Sequence, residues 1–143
     1  MFRFSVFLSL VIFLFSCTPN SESSRDYSPK FQQYYVQGQV LYQQHCSNCH
    51  QANGKGLGRV YPPVDQSDFI DNNFEEVVCI MKYGKQGRII VNGVDFNMEM
   101  KGNPGLTDLE VSEIATYIYN SWTHKKGLIE VAEVSQVLSR CNN

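Results

Sequence analysis

Cys46-Ser47-Asn48-Cys49-His50 is the stretch on which the reading of this chain turns. Its two thiols stand three positions apart, on one face of a helical turn. The imidazole follows directly after the second. Three chemistries use a cysteine pair at this spacing. A dithiol redox centre needs a buried strand ahead of it and a βαβ setting. Residues 31–45 are instead glutamine-rich, helical in spacing and without a strand-like run. A zinc site needs two further well-spaced ligands, and Cys79 and Cys141 lie too far apart to form such a knuckle. The third chemistry is covalent attachment of a c-type haem, and it is the one that calls for the adjacent histidine. The thiols add to two vinyl groups on one edge of the macrocycle, and the imidazole reaches the iron from the same side.

The surrounding composition leaves room for one domain. The chain has 143 residues, 43% hydrophobic and 18% charged, which is globular composition at single-domain length. A net charge of −2 gives no basic footprint for nucleic acid. Residues 1–15 (MFRFSVFLSLVIFLF) carry one Arg and then an uncharged apolar run. That run is shorter than the roughly 20 apolar residues of a spanning helix and reads as an export signal. Its ending, Leu14-Phe15-Ser16-Cys17, resembles a bacterial lipoprotein signal, with Cys17 the lipidated first residue of the mature chain. A plain signal peptide with Cys17 a bystander is the alternative. The polar stretch that follows (TPNSESSRDYSPK) has almost nothing to bury and reads as a tether.

Beyond the motif, the chain resembles the class I cytochrome c family over residues 37–122. Gly38 and Tyr42, spaced four apart and four before Cys46, match the family's first helix. In the family the glycine permits close crossing by the last helix. Tyr61-Pro62-Pro63-Val64 follows a loop containing Gly54, Gly56 and Gly58, and no Gly-Lys-Ser/Thr follows to make that loop a phosphate cradle. The resemblance assigns the Pro62 carbonyl to the far ring nitrogen of His50, a bond that fixes the tautomer and raises ligand basicity. The stretch 91–97 resembles a family pattern ending Tyr-Asn-Gly-x-Met-Pro. Aligned so, Met100 takes the place of the sixth iron ligand and Met98 that of a glycine, while Lys101 replaces the proline. Met98 is the alternative ligand, and Met81 sits in an apolar helical run. His124 is the competing sixth ligand, but beside Lys125-Lys126-Gly127 it reads as a surface residue, and His45 should point away from the iron.

Local signals place the helices. Thr107-Asp108-Leu109-Glu110 is a capping box. Val111, Ile114, Ala115, Ile118 and Trp122 then recur on one apolar face. Residues 74–83 read as a helix ended by Gly84. Residues 130–141 read as a short helix with Val134, Val137, Leu138 and Cys141 on its apolar face. With Cys17 assigned to lipid and Cys46 and Cys49 to haem, Cys79 and Cys141 remain. In an oxidising compartment they suggest a disulfide, the alternative being two separate buried thiols.

The expectation is therefore an all-α cytochrome c fold around one covalent haem c. Its divisions are a lipoprotein signal at 1–16, a lipidated N-terminus and tether at 17–32, the haem domain at 33–122 and a packed C-terminal extension at 123–143. The expected activity is electron transfer through a His50/Met100-ligated iron, without enzymatic turnover. The protein should sit on the periplasmic side of a bacterial membrane, held by lipid, monomeric, with transient redox proteins as partners and no nucleic acid. Lys55, Lys82, Lys85 and Lys101 are expected to edge the haem. The alternatives are a haem subunit of a larger reductase, dehydrogenase or oxidase, with the extension as docking surface, or a haem-based sensor or enzyme.

Overall fold

A computed structural model describes residues 28–141. The signal and Cys17 lie outside them. Ser28 caps helix α1 (Pro29–His45), its Oγ accepting from the Phe31 amide at 3.2 Å, and proline at the first helical position suits the cap. Residues 29–32, read from sequence as tether, therefore belong to the helix. Phe31 is buried and begins an apolar stripe continued by Tyr34, Leu41 and Tyr42. The chain breaks at Cys46 and re-enters the short helix α2 (Ser47–His50). Two more helices follow, α3 (Asp68–Asn72) and α4 (Phe74–Tyr83).

After α4 the structure departs from a purely helical reading. Strand β1 (Gly84–Lys85) pairs antiparallel with β4 (Met100–Lys101), and between them β2 (Ile89–Val91) and β3 (Val94–Phe96) form a hairpin. Its turn is Asn92-Gly93, both with positive φ (51° and 73°), the requirement of a type I′ turn. The stretch aligned with the family's ligand pattern is thus pinned on two short ladders, and the β1–β4 ladder carries Met100.

Helix α5 (Asp108–Ile118) begins with the capping box: the Thr107 side chain accepts from Glu110 N–H, and the Glu110 carboxylate accepts from Thr107 N–H at 2.7 Å. It ends at Ile118, so Trp122 is not on its face as expected. Trp122 instead sits past a turn, at φ 52°, and folds back edge-on to Tyr42 and Tyr117, with centroids 5.6 and 5.7 Å away. α1 and α5 cross at Gly38. A Cβ there would stand 1.9 Å from the Glu113 carbonyl oxygen, so only glycine admits this approach.

The extension closes the fold. Asn120 brackets Gly127 with two hydrogen bonds of 2.7 Å, and Ile129 N–H donates to Thr116 Oγ1 at 3.1 Å. Helix α6 (Val131–Leu138) then buries Val134, Val137 and Leu138 in the common core against α4 and α5. Cys141, just beyond it, is bonded to Cys79 of α4. The apolar face of α6 is consumed inside the molecule. Among the described residues no helix is long and apolar enough to cross a membrane.

Candidate haem site

The elements surround an apolar pocket that is open on one side. α2 supplies His50 to its wall, α4 supplies Val77, Ile80 and Met81, and the strands supply Ile89, Val91 and Met100. Its open mouth is bordered by Cys46, Cys49, His45, Met98 and Met100. Cys46 and Cys49 are both unbridged. Burial pushes the Cys46 thiol up to about 12, so it is held as S–H. Cys79 and Cys141 are joined to each other, which leaves them unable to serve as extra zinc ligands.

His50 is 8% exposed. Its Nδ1–H donates to the Pro62 carbonyl at 2.9 Å, leaving the Nε2 lone pair on a ring that lines the cavity. Burial lowers the His50 pKa and the bond to Pro62 opposes that shift, so the ring is held neutral, the form a metal requires. The Pro62 carbonyl stands where it does because Gly56 is glycine. At φ 65°, a Cβ on Gly56 would lie 2.2 Å from the Tyr61 carbonyl oxygen and 2.6 Å from that of Pro62. Gly56 N–H also donates to the His50 carbonyl at 2.9 Å. The Tyr42 hydroxyl donates to the Gln51 carbonyl at 2.8 Å, tying the end of the motif back to α1.

The three methionines of the sequence argument separate by position. Met100 is half-buried on β4 and lines both cavity and mouth. Met98 is 55% exposed, and Met81 is a buried wall residue on α4. Two expectations are corrected. His124 is not a surface residue: it is buried, with Nε2 2.9 Å from the Val64 carbonyl and Nδ1 2.9 Å from an Asp71 carboxylate oxygen. Of the four lysines expected to edge the haem, only Lys85 and Lys101 border the mouth. Lys82 turns its ammonium to the Leu106 carbonyl, and Lys85 is itself paired with Glu76 at 2.7 Å.

Two thiols, a neutral imidazole with one nitrogen anchored and the other free, and apolar walls form a donor set that fits haem. The architecture is that of a class I c-type cytochrome. The family model for cytochrome c matches residues 35–122, and the chain belongs to that family. It is similar to two proteins named cytochrome c-552, both from Thermus thermophilus. Each is 31% identical over 93 residues, 62% of this chain, and the match spans 70% of the first relative and 62% of the second. Membership brings covalently attached haem c and one-electron transfer.

Proposed function

We propose that this chain is an exported, lipid-anchored electron carrier whose haem iron is held between His50 and Met100. The observation that carries the reading is the His50–Pro62 hydrogen bond. It commits Nδ1 to a carbonyl and leaves Nε2 for the cavity that Met100 lines from β4. Haem, when bound, supplies the Fe(III)/Fe(II) couple. The protein supplies everything that tunes it. The neutral imidazole is oriented and made more basic by its carbonyl partner. The Met100 thioether is a soft donor that favours the ferrous state and raises the potential. The thiols of Cys46 and Cys49 fix the macrocycle by covalent bonds, and the apolar walls exclude water. His50 and Met100 would both be taken up in holding the iron, which would leave no donor position for a substrate and favours electron transfer over catalysis.

Electrons enter and leave at the mouth bordered by Cys49 and Met98, where Lys85, Lys101 and Glu99 mix both signs of charge. Such an edge suits weak, transient docking of a redox protein to a monomer. Acyl chains on Cys17, each buried CH₂ contributing about 0.8 kcal/mol, hold the protein on the periplasmic side of a membrane.

The test is a visible spectrum of the reduced protein, produced in a host with haem-attachment machinery, before and after adding carbon monoxide. A low-spin spectrum unmoved by carbon monoxide is expected. A ready shift would mean an open sixth position and would overturn the His/Met carrier.

A further inference from the structure

We propose that His124 is a positioning residue for the axial histidine: it pins the Val64 carbonyl and so holds the Pro62 carbonyl on His50. The inference rests on reading His50 as an iron ligand. His124 and Thr123 lie outside residues 35–122, the part matched by the family model, so this device belongs to the chain's own C-terminal turn.

The geometry forms a short mechanical chain. Val64 N–H and Asp65 N–H both donate to the Gly54 carbonyl, at 2.7 and 2.9 Å, which fixes one side of the segment. From the other side, His124 Nε2–H donates to the Val64 carbonyl at 2.9 Å, and the Thr123 hydroxyl donates to Asp65 Oδ1 at 2.8 Å. The Trp122 ring covers Gly54 so closely that a Cβ there would lie 2.9 Å from it. Between the Val64 and Pro62 carbonyls lie Pro63, whose ring locks its φ, and the N–Cα unit of Val64, whose N–H is held on the Gly54 carbonyl. Displacement at Val64 is therefore passed to Pro62 with little slack, and Pro62 is the partner of His50 Nδ1–H.

His124 is itself held. Its Nδ1 lies 2.9 Å from Asp71 Oδ1 on α3, and the side chains are 6% and 58% exposed respectively. Both ring nitrogens thus face acceptors. The Tyr119 ring packs beside it, at 6.3 Å between centroids. A buried imidazole with two directed contacts, one of them to the backbone of the haem loop, does more than fill space: it sets where that backbone stands.

The experiment follows solvent exchange of His50 Nδ1–H by proton NMR in the reduced holoprotein, alongside backbone amides of Val111 and Ile114 in α5. In His124→Leu the Nδ1–H should exchange about tenfold faster than in wild type, the loss of one hydrogen bond's worth of holding, while the α5 amides stay near their native rates. His124→Gln, which keeps an amide donor for Val64, should recover part of the protection. Asp71→Ala removes only the exposed anchor and should accelerate exchange in the same direction. It decides the matter if His124→Leu does not fold. Native Nδ1–H exchange in the variants overturns the proposal, as does acceleration only in step with the α5 amides, since that reports global loosening. Failure of the ligand reading is separable: wild-type protein would then lack the haem-shifted His50 ring resonances before any variant is made.

Discussion

Replacing Gly38 by alanine sets two effects of opposite sign against each other. Gly38 is in the interior of α1, where alanine is better than glycine by about 0.8–1.0 kcal/mol on helix propensity alone. Propensity therefore predicts a more stable protein. The tertiary structure predicts the reverse. The new Cβ would meet the Glu113 carbonyl oxygen at 1.9 Å, its carbon at 2.5 Å and Tyr117 Cβ at 2.9 Å. Two of these are backbone atoms of α5, which no rotamer change can move. The helices must separate by more than an ångström at a crossing where Tyr42 and Ile114 are fully buried. Overpacking of this kind costs about 1–3 kcal/mol and occasionally more, with the upper part of the range applying where backbone must move. The net expectation is a loss of at least about 1 kcal/mol, lowering Tm by about 4–8 °C or more. The assay is thermal unfolding of the holoprotein by far-UV circular dichroism. Gln33→Ala, at an exposed position of the same helix, serves as the control and should stay within about 0.5 kcal/mol. A Gly38→Ala protein that melts at or above wild type would refute the close-crossing argument.

Three other outcomes are expected. Met100→Ala should open the sixth position, so that the reduced protein binds carbon monoxide and its potential falls, while Met98→Ala should keep the wild-type spectrum; the reverse pattern would exchange the two assignments. Removing the Cys79–Cys141 bond by double serine substitution should lower stability by about 4 kcal/mol on the chain-entropy account for a separation of 62 residues, read by urea unfolding, with peptide mapping of unreduced wild-type protein showing the two cysteines joined. Hydrogen bonds from the Thr107 backbone and hydroxyl lower the Glu110 pKa, so its capping advantage over Glu110→Gln is present above the unfolded carboxylate value of about 4.3. That advantage should shrink as pH falls through the lower folded value, measured as converging urea midpoints between pH 7 and pH 3.

Legibility in the sequence follows the range of the interactions. The capping box is readable because Thr107 and Glu110 satisfy each other across three residues. The hairpin is a local signal too: Asn92-Gly93 stands between Ile89-Ile90-Val91 and Val94. Aligning the stretch as a ligand loop hides it. The end of α5 is misplaced by the apolar period, which Trp122 continues, yet the helix stops at Ile118 and Trp122 reaches Tyr42 from a turn instead. The lysine neighbours of His124 suggest a surface residue, but its partners lie 60 residues away at Val64 and on α3 at Asp71.

The haem attachment motif, the helical class and the family are legible in the amino-acid order alone, because each rests on short spacings that covalent geometry and helical period enforce. How close α1 and α5 pass at Gly38, how Asn120 and Ile129 fold the extension onto the core, which lysines border the mouth, and the burial of a histidine beyond the family's span behind the haem loop emerge only from the packed chain. Those outcomes depend on which distant surfaces exclude water together, and no local period encodes that.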